Sequence, residues 1–307
     1  MEKPTIRIGH LTITDHLVLG VTKYNIDNGI ETFNHCNIET IPMMGWDYVG
    51  DAISNGELDA AFILAPYAME LFHSGEKIQL VLLGHKTGSV VIKNKKVSIK
   101  NFDDFRGKTM LIPFHLSIHM MLLHKLFAKH GLDVGPGKDV SFEVMAPAQI
   151  PQAMEWDEDG ELGGFIVAEP YGSLVVKNGY GTEFALSKDL WPDHPCCVFI
   201  VKDEIIQKYP DAVQELVTSF TNAGKYIAGN VDKVAENCAE FLNQEPAIIK
   251  QVLTSPPDRV KYSELMPRYE SFETIQKYMT ENVQSMSGKI NLQKFIRQDF
   301  AKNAGAV

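Results

Sequence analysis

Three histidines, His115, His119 and His124, crowd the segment PFHLSIHMMLLHKLF at positions 113–127. Imidazoles at such spacing can bind a metal, move a proton or capture a ligand. His115 and His119 lie four apart, but His115 precedes the helix start, so the pair need not share a face, and neither H-E-x-x-H nor C-x-x-C accompanies it. No metal is therefore expected here, and packing accounts for His124. His194 with Cys196 and Cys197 could form a redox or metal patch, although buried structural thiols are commoner. A Ser–His–Asp centre would need a G-x-S-x-G elbow, and a nucleotide site a GxGxxG or Walker A loop; the sequence has none of them. No cofactor and no catalytic residue is expected.

The elements that position these side chains follow from periodicity. TIRIGHL, NIETIPMM and LDAAFILAP read as strands, separated by helices over TDHLVLGVTKYNIDNG and WDYVGDAISNG, and a third helix follows over PYAMELFHSG. IQLVLLGHKTGSVVIKN returns to β structure. After the charged connector KNKKVSIKNFDDFRG the theme repeats: KTMLIP, VSFEVMAP and GGFIVAEP as strands, SIHMMLLHKLFAKHG and PYGSLVVKNG as helices, and CCVFIVKDE leading back. From about Asp203 onward only helical periodicity remains. The class is α/β, with two doubly wound lobes, a hinge and C-terminal helices. The first lobe is expected over 1–92 plus 203–307 and the second over 98–197, with hinge segments 93–97 and 198–202.

In such units ligands sit where strand C-termini meet helix N-termini, because free amides and the helix dipole gather there. That rule selects His10, Thr12, Thr14 and Asp15 from HLTITDH, Trp46 from MGWDY, Ala65 from LAPYA, Ser117 and His119 from PFHLSIH, and Glu169 and Tyr171 from AEPYG. On chemistry alone Thr14 and Asp15 could instead cap a helix, and Trp46 could pack on a lobe surface.

Bulk composition narrows the classes. The 307 residues allow two domains, and 45% hydrophobic with 22% charged residues is ordinary globular composition. A net charge of -10 argues against a nucleic-acid partner. No apolar run reaches the roughly 18–20 residues of a membrane helix. Cys36, Cys196, Cys197 and Cys238 lack metal-type C-x-x-C spacing, and the adjacent pair is poorly placed for an ordinary disulfide.

The order of these motifs resembles the type II periplasmic substrate-binding proteins of ABC importers, in the group for nitrate, bicarbonate, sulfonates, taurine and thiamine-pyrimidine precursors. LTITDHLVLG is similar to that group's first-strand entry, and GWDYVGDAISNGELDAAFILAP to its tryptophan helix and following strand. FRGKTMLIPFHLSIHMMLL is similar to the second-lobe entry, GFIVAEPYGSLVVKNGYG to the E-P-(W/Y) step, and WPDHPCCVFIV to the returning strand. The resemblance covers roughly residues 4–230.

It implies that Trp46 walls the ligand, that Ser117 and His119 hydrogen-bond it, and that Glu169 and Thr12 set polarity. His85 stands where the group has a glutamine, and Cys197 where nitrate-type receptors have a lysine. Losing that cation, with Glu169 repelling an anion, points away from nitrate and towards a neutral, zwitterionic or larger organic ligand. The implied protein is a monomeric solute receptor, with a small-molecule ligand and a membrane permease as partners. It is expected in the periplasm or lipid-anchored at the cell surface, its signal segment absent from this sequence. The alternatives are a cytoplasmic enzyme of the same fold, in thiamine-pyrimidine or menaquinone synthesis, and a sensing domain of a receptor. PCCVF is a partial echo of the thiamine-pyrimidine synthases, but FILAPYAME lacks their Lys/His pair.

Overall fold

The computed structural model describes residues 3–307. Strands β1 (Thr5–His10), β2 (Asn37–Pro42), β3 (Ala60–Leu64) and β4 (Ile78–Leu83) come first, followed by the two-residue β5 (Lys86–Thr87). Strands β6 (Ser89–Asn94), β7 (Lys108–Ile112), β8 (Val140–Val144), β9 (Leu162–Ala168) and β10 (Gly181–Leu186) come next, then β11 (Cys197–Lys202) and the short β12 (Val260–Lys261). They build two five-stranded sheets, ordered β2-β1-β3-β11-β4 and β10-β6-β9-β7-β8. In the first sheet β1 runs parallel to β2 and β3, and β11 is inserted antiparallel between β3 and β4.

The central strands AAFIL and CVFIV are buried throughout, as expected of strands covered by helices on both faces. Phe62, Phe199 and Phe220 pack ring to ring at 4.9–5.3 Å in that core. The C-terminal helices lie on the first sheet's side: Pro210–Gly229 packs on Leu17–Asp27, and Tyr269–Tyr278 packs on Ala65–His73. In the second sheet Gly164 has φ +149, and a Cβ there would stand 2.0 Å from the Ile92 carbonyl oxygen, so only glycine lets β9 and β6 pair at this point.

The chain crosses between the sheets at 84–88 and 187–196, several residues before the expected 93–97 and 198–202. Ser89–Asn94 is a strand of the second sheet and Cys197–Lys202 a strand of the first, so the chain does not pass between the sheets at either expected segment. The apolar flanks of IQLVLLGHKTGSVVIKN make it read as one β run. The break falls where Thr87 and Gly88 take positive φ and turn the chain. The two crossings are tied together, Thr87 N–H donating to the His194 carbonyl at 3.0 Å. β12 adds a third strap by pairing antiparallel with β5. Strand β10 was not foreseen, because this edge strand, GTEFAL, buries only its two ends.

Candidate functional site

The mouths of β1, β4 and β11 and the first turn of the helix Ile118–Lys129 converge where the lobes meet. A 3-10 turn, Thr14–His16, follows β1 and carries Asp15 inward. Neither Thr14 nor Asp15 caps the next helix. Thr14 instead bonds across the junction, its N–H (2.8 Å) and Oγ1 (2.9 Å) both donating to the Glu169 carbonyl. Thr12 Oγ1 meets the Tyr171 hydroxyl at 3.0 Å. Asp15 Oδ2 lies 2.9 Å from His85 Nε2 and 3.6 Å from Cys197 Sγ, with all three side chains buried. β11 reaches this point because Ala65 N–H donates to the Cys196 carbonyl and Gly84 N–H to the Cys197 carbonyl, both at 2.9 Å.

Five of the ten histidines, His10, His16, His85, His119 and His194, are buried at or behind this junction. His119 meets Ser89 Oγ at 2.8 Å through Nε2. His16 lies edge-on to Trp46 at 5.8 Å, and His10 stacks on Phe241 at 4.5 Å. Burial holds His10 and His194 down at about 4, and His119 at about 3 with His194 and His85 adding repulsion. These rings are neutral at pH 7. Burial pulls His85 in the same direction, but the Asp15 carboxylate overrides it and raises its pKa to about 10, so His85 is an imidazolium.

Six of the ten buried side-chain polar atoms without a partner among the described residues belong to this one place: Asp15 Oδ1, His16 Nε2, Trp46 Nε1, His85 Nδ1, His119 Nδ1 and His194 Nε2. Stray unsatisfied atoms are scattered and rare in folded proteins, so their gathering sets this junction apart from the rest of the described residues. Their roles follow from their neighbours. His16 Nδ1 lies 3.0 Å from the Leu11 amide and 3.1 Å from the Leu11 carbonyl, so its Nε2 donates when the amide is served and accepts when the carbonyl is. His194 Nδ1 donates to the Pro195 carbonyl at 3.2 Å, which leaves Nε2 a bare acceptor. Trp46 and the imidazolium of His85 can only donate, and Asp15 Oδ1 can only accept. Asp15 Oδ1 and His85 Nδ1 face one spot beside Gly88, where an added Cβ would lie 3.3 and 3.2 Å from them.

Of the residues selected from sequence, Asp15, Trp46, His85, His119 and Cys197 come together here. Three others already have their polar groups engaged. Ser117 caps its helix, its Oγ accepting from Met120 N–H (3.0 Å) and donating to the Phe114 carbonyl (2.6 Å). The Ala65 amide is taken by Cys196. Glu169 accepts from Ser173 N–H and Oγ, both at 2.9 Å, and pairs with Arg259 at 2.8 Å, so its charge is matched and does not repel an anion. Thr12, Thr14 and Tyr171 bond one lobe to the other, and His10 packs behind the site. His115 is exposed, and His124 bonds Tyr278 at 2.9 Å. The residues not foreseen in these positions are His16, Ser89 and Arg259; Arg259 lies in the C-terminal tail, which carries no motif. A surface groove of about 330 Å³ beside the hinge includes Lys86 and Glu264, but these already pair at 2.7 Å.

The sequence model of the NMT1-like family matches residues 1–243. The chain belongs to the NMT1-like family. Among family relatives, the nitrate import ATP-binding protein NrtC of Synechocystis PCC 6803 is 27% identical over 244 residues, 74% of this chain and 35% of that protein. The nitrate/nitrite binding protein NrtA of Nostoc PCC 7120 is 24% identical over 266 residues, 78% of this chain and 58% of that one. The chain thus spans about a third to three-fifths of the length of these relatives. A ligand-binding component of an ABC-type import system from Staphylococcus aureus, solved with zinc bound, superposes with a TM-score of 0.86 at 24% identity, covering 98% and 99% of the two chains. Synechocystis NrtA superposes at 0.85 with 19% identity, covering 99% of this chain and 89% of that one. These likenesses show the two-lobed fold of the periplasmic binding proteins. No described helix is long and apolar enough to cross a membrane.

Proposed function

We propose that this chain captures a small polar solute between its lobes and presents the closed form to a membrane permease of an ABC importer. The convergence of six unpartnered polar atoms on one buried junction supports this most directly. Relatives named for nitrate and bicarbonate uptake fit the same role. The lobes comprise the two sheets, with the C-terminal helices on the first, and the straps at 84–88 and 187–196 serve as the hinge. The receptor acts as a monomer on the outer side of the membrane.

The donors His85 Nδ1–H and Trp46 Nε1–H suit a carboxylate, sulfonate or carbonyl oxygen. Asp15 Oδ1 and His194 Nε2 require a donor on the same ligand. The imidazolium of His85 supplies the cation that the Lys-to-Cys change at position 197 removes, while Asp15 balances it. A neutral, zwitterionic or singly charged organic solute therefore fits better than a bare inorganic anion. Entry requires the Thr14–Glu169 and Thr12–Tyr171 bonds to open, and the solute's preference for the closed state sets how far closure is driven.

The test is a thermal-shift panel of nitrate, bicarbonate, taurine, alkane- and arylsulfonates and aminopyrimidines, each with chelator present. A ligand at 100 times its dissociation constant adds about 2.7 kcal/mol of stability. A shift with one class, lost in His119→Ala while the unliganded fold persists, is expected. No shift with any class would contradict solute capture.

A further inference from the structure

Cys196 and Cys197 are free, buried thiols, the second of them opening β11, and solute capture gives the adjacent pair no role of its own. One donor atom from each of Asp15, His85, Cys196 and Cys197 lies within 4.8 Å of the other three, and all four residues are buried. A tetrahedral zinc site with bonds of about 2.0–2.3 Å separates its donors by about 3.3–3.8 Å, so a small inward movement of side chains would close this set on an ion. We propose that these four residues form a Zn²⁺ site that clips the two lobe crossings together.

The donor chemistry selects the ion. Two sulfurs, one imidazole and one carboxylate in a compact set suit Zn²⁺. Calcium and magnesium require cages rich in oxygen, and Cu(I) favours sulfur without carboxylate. The placement gives the site its role. His85 belongs to the outgoing crossing, the cysteines to the returning one, and Asp15 to the turn after β1. An ion here would give one shared centre to three segments that already touch, Asp15 to His85 at 2.9 Å, Cys197 Sγ to Asp15 at 3.6 Å and Gly84 N–H to the Cys197 carbonyl at 2.9 Å. On binding, His85 gives up the proton it shares with Asp15 and each thiol gives up its own, so three protons leave as one ion enters. His85 Nδ1–H still faces the spot beside Gly88.

The test uses the whole chain, reduced, freed of metal and held without oxygen or organic solute. It is titrated with Co²⁺ as a spectroscopic substitute and then with Zn²⁺. One ion per chain is expected, with an ultraviolet thiolate-to-cobalt band and the visible bands of four-coordinate cobalt, all bleached by Zn²⁺. The bands should vanish in Cys196→Ser and Cys197→Ser and persist in Cys36→Ser and Cys238→Ser, with circular dichroism confirming the fold. Should a serine variant not fold, X-ray absorption at the zinc edge of the unaltered protein decides, two sulfurs at about 2.3 Å being expected. No thiolate band, a band that survives both serine variants, or a zinc shell without sulfur would overturn the site. The solute panel is run with chelator and the metal titration without solute, so the two proposals fail independently.

Discussion

Arg259 is the residue whose removal most sharply probes how the junction holds shut. It is buried, approaches Glu169 at 2.8 Å and also pairs with the half-exposed Glu183. In Arg259→Met the Glu183 carboxylate can turn to water at little cost. Glu169 cannot. Burial already raises its pKa, Arg259 opposes that, and without the guanidinium only Ser173 supports the charge. An unmatched buried charge costs about 3–5 kcal/mol.

Two routes relieve it. Protonating Glu169 at pH 7.5 costs about 4 kcal/mol from an ordinary glutamate. Parting the lobes breaks the two Thr14–Glu169 bonds, the two Thr12–Tyr171 bonds and the His124–Tyr278 bond, about 0.5–1.5 kcal/mol each and about 5 kcal/mol together. The two routes therefore cost about the same. Arg259→Met should lose about 4 kcal/mol in urea unfolding, and small-angle scattering should show a larger radius of gyration. Glu169→Gln keeps an acceptor for Ser173 and removes the charge, so adding it to Arg259→Met should restore at least half the loss and the compact radius. A loss below about 1 kcal/mol, or no rescue by the second change, would refute the latch.

Two further outcomes follow from the same junction. His10 and His194 at about 4 and His119 at about 3 lie below the ordinary 6.5, so the stability tied to their neutral forms is present above pH 6.5 and is lost as pH falls. His85, raised to about 10, has the opposite sign: its share is complete below 6.5 and lost only as pH rises through 10, so it does not offset the acid loss. At pH 5.5 the three neutral rings should remove about 4 kcal/mol, so the urea midpoint should drop well below its pH 7.5 value, and an unchanged midpoint would contradict their burial as neutral rings. Ser117→Ala should cost about 1 kcal/mol of stability through the lost helix cap, with solute affinity unchanged by calorimetry; a fall in affinity would return Ser117 to the ligand.

The sequence made the frame legible because each strand mouth is punctuated. Gly29 and Gly56 stop helices with positive φ as their positions suggest, and buried runs such as AAFIL read directly as central strands. The β/α order then places Asp15, Trp46 and His119 at one junction. What stayed hidden depends on partners distant in sequence. The match between Glu169 and Arg259 spans 90 residues, so periodicity cannot reveal that the carboxylate is neutralised. Ser117 has the side chain of a ligand group and of a helix cap, and only the Met120 amide shows which role it fills. The crossing between the sheets escaped because β4 and β6 are both apolar, and a sequence does not say which sheet a strand joins. His16 next to Asp15 reads as part of the helix start; only the fold turns it onto Trp46.

The central claim is that solute sits against Trp46 between the lobes, and fluorescence of that single indole tests it most directly. Trp156 is exposed and Trp191 packs 5.8 Å from His194, so Trp156→Phe with Trp191→Phe removes both other indoles and leaves Trp46 as the only reporter. Titrated with the solute that raises the melting temperature, Trp46 emission should change saturably, with the same dissociation constant as calorimetry. A solute that stabilises this variant while Trp46 emission stays unchanged would place binding elsewhere and contradict capture at the junction.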